Sequence, residues 1–211
     1  MTRSYLGKER KFLLSKLMLK ILLPLFTFIC LAAQVGAAEP LTPTDTLKTS
    51  LDGIKTFIEQ SEDLTEKKVK AELRKQIMPL FDREVMAKSS LGSNWRKLNT
   101  PEKKEFIALF SELVFNTYFT KIKKINSTDI NFKSEDIRTK KAIVRTEVLH
   151  KGEKYRIDYK LHCRKGPWLI YDIVIQNIGL ISNYRNEFAG IIRKYKIPGL
   201  LSKLKKKLRI G

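Results

Sequence analysis

One stretch, Lys140 to Arg185, limits what this chain can fold into more than any other. It reads KKAIVRTEVLHKGEKYRIDYKLHCRKGPWLIYDIVIQNIGLISNYR, three strand patterns with barely a gap between them. In the second, Tyr155, Ile157, Tyr159, Leu161 and Cys163 alternate with Arg156, Asp158, Lys160 and His162. A period of two puts one set on an apolar face and the other toward water. The first run sets Ala142, Val144, Thr146 and Val148 against Ile143, Arg145, Glu147 and Leu149. Lys151-Gly152 and Lys165-Gly166-Pro167 are the turns, each with a Gly free to take positive φ. Loops this short join antiparallel neighbours, so the pattern predicts a β-meander with one apolar face. A further strand around Ile130, Phe132 and Ile137 brings the predicted sheet to four strands.

The first 38 residues predict an export signal. A basic region from Arg3 to Lys20 precedes an apolar run, Ile21 to Ala33, and Val35-Gly36-Ala37-Ala38 suits cleavage after Ala37 or Ala38. The run is shorter than the roughly 20 residues a bilayer span takes. A retained signal anchor is the competing reading. Without this segment Cys163 is the one remaining cysteine, so residues 39–211 have no internal disulfide and depend on burial for stability. The alternation points Cys163 to the apolar face as an inert core residue. Six of the 42 Lys/Arg and one of the 22 Asp/Glu fall in the first 38 residues, which leaves a net charge of about +15. That surplus favours polyanions, and an export signal excludes nucleic acid in favour of a membrane surface or acidic protein.

Helical patterns flank the meander. Thr42-Pro43-Thr44-Asp45 opens one, with Leu47, Leu51, Ile54 and Ile58 as its stripe. A second starts near Thr65, carries Val69, Leu73 and Ile77, and stops near Met78 ahead of Pro79. Phe81 to Met86 reads as a short helical turn and Ser89 to Asn94 as a loop. Asn99-Thr100-Pro101-Glu102 starts a long helix to about Ile125 with a wide aromatic face. After Gln176-Asn177-Ile178-Gly179 a helix begins near Leu180 and breaks at Pro198-Gly199. The last segment, Leu200 to Arg209, is a basic amphipathic helix, read either as a solvated terminus or as a surface touching anionic membrane or a partner. The fold class is α+β, helices on one face of a four-stranded antiparallel sheet. Helices curled on a twisted sheet make a cone, filled by side chains or left open for a ligand. Lys121, Lys123 and Lys124 at an open mouth would suit an anionic headgroup, whereas each taken singly reads as part of a solvated helix end.

Catalytic chemistry is thinly represented. His150 and His162 have no metal-ligand spacing and no nucleophile partner, and no phosphate-cradling Gly loop occurs. Asp172 is the one acid that interrupts an apolar strand. It is a candidate base in an apolar cavity, or else the partner of an Arg or a backbone amide.

An ordered set of motifs resembles the MlaC-type periplasmic phospholipid-binding proteins, also called toluene-tolerance proteins. They are Phe81-Asp82, Leu91-Gly92 with Trp95, Thr100 to Phe110, Thr117-Tyr118, Tyr155 to Leu161, Gly166 to Ile173, and Asn183 to Phe188. The resemblance covers about residues 40–208. It departs at Gln176-Asn177-Ile178-Gly179, where the family usually runs E-G-V-S; Asn tolerates positive φ, so the turn survives. The resemblance implies a fold like nuclear transport factor two with a deep apolar cavity, and a non-enzymatic carrier without cofactor. It implies a phospholipid with buried acyl chains, shuttled across the periplasm to support outer-membrane lipid asymmetry. The implied partners are an outer-membrane lipoprotein complex and an inner-membrane ABC transporter with its membrane-anchored substrate-binding component.

The expected lining of that cavity is Phe110, Val114 and Tyr118 from the long helix, with Val144, Thr146, Val148, Ile157, Tyr159, Leu161, Ile170 and Val174 from the sheet. Trp at Val144 or Ile157 is expected to block it and leave the fold intact. Two other readings fit the same residues: an enzyme of this fold using Asp172, and a basic interaction module with a filled core.

Overall fold

A computed structural model describes residues 41–123, 130–150, 152–164 and 166–210. The expected export signal, Lys124, Ile125, Lys151 and Lys165 lie outside them. Several helices begin at a side-chain cap. Helix α1, Pro43–Glu59, starts on Thr42, whose hydroxyl accepts the Asp45 amide at 3.0 Å. Helix α2, Glu66–Ile77, ends ahead of Pro79, and Met78–Leu80 tighten into a 3-10 turn. Helix α3 runs Arg83–Leu91 and is followed by a 3-10 helix, Gly92–Lys97, so the loop expected at Ser89 to Asn94 is helical instead. Asp82 caps α3, its Oδ1 accepting the Val85 amide at 2.9 Å. Gly92, at φ 56° and ψ −128°, makes the change of direction in a region closed to side chains with a Cβ. Helix α4, Thr100–Ile122, has the full capping box between Asn99 and Glu102.

The sheet is antiparallel and follows chain order: β1 Ile130–Arg138, β2 Lys141–His150, β3 Glu153–His162, β4 Leu169–Ile175 and β5 Ile178–Gly179. Among the described residues it has five strands where the sequence predicted four. Gln176 and Asn177 both take positive φ, 48° and 65°, the backbone of a two-residue type I′ turn. The chain therefore folds back and pairs Ile175 with Ile178 before entering the last helix.

Helix α5, Leu180–Ile210, is broken at Lys196 (φ 59°, ψ −174°) into arms 180–195 and 197–210. The break comes two residues ahead of Pro198 because a proline suits the first turn of the new arm. Leu200, Leu201 and Leu204 of that arm are buried in the helical core. Its apolar stripe is thus spent inside the fold, which corrects the reading of the segment as a solvated terminus.

Among the described residues, three apolar clusters form the core. The largest joins α3, the 3-10 helix, α4 and α5 around Phe106, Phe110 and Phe188. A second joins α1, α2 and the other flank of α4 through Ile54, Leu73, Phe115 and Phe119. The third lies under the sheet, where Leu47 of α1 meets Val144, Leu161 and Ile170.

Candidate functional site

The sheet register decides which side chains share the face toward the helices. Across β2 and β3, Ala142 pairs with Leu161, Val144 with Tyr159, Thr146 with Ile157, and Val148 with Tyr155. Directly opposed antiparallel residues project to the same side. Thr146 is 1% exposed, and its hydroxyl donates to the Ile157 carbonyl at 3.0 Å, so it turns a methyl to this face. From β3 to β4 the register shifts between Lys160 and Leu161, placing Ile170 opposite Leu161, Ile173 opposite Tyr159 and Ile175 opposite Ile157. Val174 pairs with Asp158 on the other face. The bulge thus replaces the expected Val174 with Ile173 and Ile175, which the alternation of the strand alone did not single out.

This face changes character along its length. At one end Ala142, Val144, Leu161 and Ile170 are buried, the last three against Leu47, with Leu80, Phe81 and Trp168 around them. Toward the other end Tyr155, Ile157, Tyr159, Ile173 and Ile175 keep accessible surface, beside Val148 at 9%. Tyr159 is the most informative of them. Burial alone pushes its hydroxyl up to about 12, yet the side chain is not closed off, and its hydroxyl has no hydrogen-bond partner among the described residues.

The long helix does not present all its expected residues to the sheet. Phe110 is packed among rings: stacked on Phe106 at 5.7 Å and edge-on to Tyr184 at 5.2 Å and Phe188 at 5.7 Å. Val114 and Tyr118 continue that flank and remain half-buried. Burial raises the Tyr118 hydroxyl, and Lys121 lies over its ring at 5.5 Å. Lys123 is exposed. Phe81, which the expected lining omits, packs against all three clusters. With Leu80 it sits where the helical cores meet the underside of the sheet. In the sequence Phe81 showed itself only as an inward-facing residue of a short helical turn and as part of the Phe-Asp motif.

The polar face carries structure. Asp172, 8% exposed, accepts the Ile181 amide at 3.1 Å and the Lys160 ammonium at 3.2 Å, so it caps α5 and pairs with a cation. On the opposite face, level with Val144, Glu135 accepts the Thr44 amide at 2.7 Å at the start of α1. His162 is buried at 7%, bonded to Asp82 and set edge-on to Tyr171. Cys163 falls just past the end of β3, partly exposed, its thiol donating to the Gly166 carbonyl at 2.9 Å. The expectation of a buried Cys163 and a solvated His162 is therefore reversed: strand alternation ends at His162, and α3 covers that end of the sheet. Among the described residues no cluster of three His, Cys, Asp or Glu could hold a metal, and no helix is long and apolar enough to cross a membrane.

One cleft opens beside Phe81. It has a volume of about 490 Å³ and is lined by Arg74, Lys75, Met78, Pro79, Phe81, Arg83 and Glu112.

Comparison with known proteins gives three findings. The family model for the MlaC protein matches residues 48–206. The chain is 22% identical over 138 residues to the intermembrane phospholipid transport system binding protein MlaC of Haemophilus influenzae. That match covers 63% of this chain and 64% of the relative, so it spans just under two thirds of the relative's length. A solved phospholipid-binding protein of Ralstonia solanacearum, in complex with a phospholipid, superimposes with a TM-score of 0.70 at 24% identity. The superposition covers 78% of this chain and 95% of that one, a likeness that establishes the fold.

Proposed function

The chain belongs to the MlaC family, and on that footing we propose that it is an exported, periplasmic phospholipid carrier. The acyl chains lie in an apolar space between the helices and the inner face of β2 to β4. That space is a cone in the manner of nuclear transport factor two, closed at Leu47, Leu161 and Ile170. The observation that carries this reading is Tyr159, deep enough for its ionisation to be suppressed and still accessible. Both properties are what a residue walling such a space would present. Val144, Thr146, Val148, Ile157, Leu161 and Ile170 surround it on the same sheet face, with Ile173 and Ile175 in the role expected of Val174. From the helical side Val114 and Tyr118 border the space, and Phe110 backs them from within the aromatic core.

The physics suits a carrier. A free 14-carbon tail costs about 11 kcal/mol to hydrate at roughly 0.8 kcal/mol per methylene, so unassisted crossing of an aqueous gap is negligible. A dry cavity resembles the bilayer interior, which keeps loading and delivery near balance. Direction then comes from the partners, an outer-membrane lipoprotein complex and an inner-membrane ABC transporter. No catalytic step is assigned, and the carboxylate best placed for one, Asp172, has both oxygens engaged by Ile181 and Lys160.

Native mass spectrometry of protein purified from cells, followed by lipid extraction, tests the reading. An added mass of phospholipid size that is lost on delipidation is the expected result. A clean unliganded mass under gentle conditions would overturn it in favour of an interaction module with a filled core.

A further inference from the structure

We propose that the outer face of the final arm, residues 197–210 of α5, is an electrostatic docking surface for an anionic lipid bilayer. It goes beyond the carrier reading and borrows from it only the setting, a protein that meets membranes.

The charge here is one-sided. From Arg193 to Arg209 eight side chains are Lys or Arg, none is Asp or Glu, and all eight are exposed. Lys205 reaches Glu105 of α4, and among the described residues the other seven have no carboxylate partner. Helix stability accounts for part of the pattern, because Lys207 and Arg209 in the last turn complement its negative end. Lys203 and Lys206 precede that turn. With Lys207 they set like charges at spacings of three and four, which destabilises a helix. Folding by itself does not call for them.

The arm is also a fixed platform. Leu200, Leu201 and Leu204 are buried in the helical core and Lys205 is paired to α4, so its backbone needs no ordering on contact. Those leucines are not free to insert into a bilayer. What remains outward is charge and one aromatic ring. Tyr195, 45% exposed, stands at the break before the arm, with Lys194 over its ring at 5.2 Å and Lys203 at 4.7 Å. A ring with a polar tip beside ammonium groups suits the headgroup layer of a bilayer, where tyrosine is enriched. The choice of cation points the same way. Residues 203–207 hold four lysines and no arginine. Lysine is a hydrated point charge on a flexible stem, whereas the fixed carboxylates of a protein partner favour the arginine fork. Mobile lipid headgroups impose no fixed geometry, so a lysine face fits them better than it fits an acidic protein. Each cation near an anionic surface adds about fivefold in affinity, and salt screens the attraction.

The test is vesicle sedimentation with protein purified from cells and delipidated. Wild type should pellet with vesicles of an equal phosphatidylcholine–phosphatidylglycerol mixture, stay in solution with phosphatidylcholine alone, and be released by salt. Lys206→Gln with Lys207→Gln should weaken adsorption by about thirtyfold, and Lys206→Arg with Lys207→Arg should retain it. Lys67→Gln with Lys68→Gln removes the same charge from α2, on the other flank of α4, and should change adsorption by less than about threefold. All four lysines are exposed, so these variants should fold as wild type, which circular dichroism checks. Equal losses in the two glutamine variants would trace adsorption to net charge at large and overturn the proposal. Adsorption that survives in the Lys206/Lys207 glutamine variant, adsorption to both vesicle types alike, or none to either would overturn it as well. Binding of polyglutamate without binding of vesicles would overturn it in favour of an acidic protein partner. Cargo is read separately, by native mass spectrometry of the same variants. A protein that adsorbs through Lys206 and Lys207 but never holds phospholipid would end the carrier reading and leave this one standing.

Discussion

The Asp82 carboxylate meets the His162 ring at 2.9 Å through one oxygen and caps helix α3 through the other. One side chain thus ties the start of a helix to the end of a strand 80 positions away, and both partners are largely buried, at 15% and 9% side-chain exposure. Asp82→Ala should cost about 2–4 kcal/mol, a lost cap of about 1 plus a buried ring left unpaired at about 1–3. His162→Ala should cost less, since Asp82 keeps its cap. A double-mutant cycle in urea is expected to return a coupling of at least about 1 kcal/mol. Additivity within error would mean that the contact contributes nothing of its own.

Tryptophan should block the interior at one of the two expected positions and damage the fold at the other. Ile157 keeps accessible surface, so Ile157→Trp should stay folded and abolish phospholipid co-purification. Val144 is 0% exposed against Leu47, Leu161 and Ile170, so Val144→Trp should overpack that end and cost about 3 kcal/mol or more. Thermal melts with lipid extraction separate the two effects. A folded Ile157→Trp protein with full lipid content would contradict the assigned interior.

Tyr159 makes stability depend on alkaline pH. Its hydroxyl is pushed from 10.0 up to about 12 by burial, so between those values the unfolded chain has lost a proton that the folded chain keeps. Stability contributed by the neutral form is complete below pH 10 and is lost as pH rises toward 12. Tyr118 and Tyr184, also raised by burial, act in the same direction. Denaturation midpoints should fall over this range, and Tyr159→Phe should flatten the slope. An unchanged slope in that variant would place its hydroxyl in ordinary solvent.

Two glycines of α5 should respond oppositely to alanine. A Cβ on Gly199 would lie 2.3 Å from the Tyr195 Cβ, whereas one on Gly190 would meet nothing within 4 Å. Gly199→Ala should destabilise by about 1–3 kcal/mol by prising the final arm from Tyr195. Gly190→Ala, exposed in a helix, should stabilise by about 0.5–1 kcal/mol. Chemical denaturation of the pair distinguishes a docked arm from a frayed one, because a frayed arm would tolerate both.

By itself the sequence determined what is local or periodic. Alternation from Lys140 to His162 specified the meander, the turn glycines and the apolar set Val144, Thr146, Ile157, Tyr159 and Leu161. Capping residues at Thr42 and Asn99 specified helix starts, since a cap acts within one turn. Its ordered motifs were enough to indicate the family that the comparisons establish. Tertiary structure alone decided which face each strand turns inward after the bulge at Lys160, because β4 is apolar on both sides and only its register with β3 distinguishes Ile173 from Val174. It also decided that the leucines of the basic final arm are buried, since a helix does not encode what covers its stripe. Phe81 gained its place at the junction of three cores in the same way. Contacts between residues far apart in the chain leave no period to read.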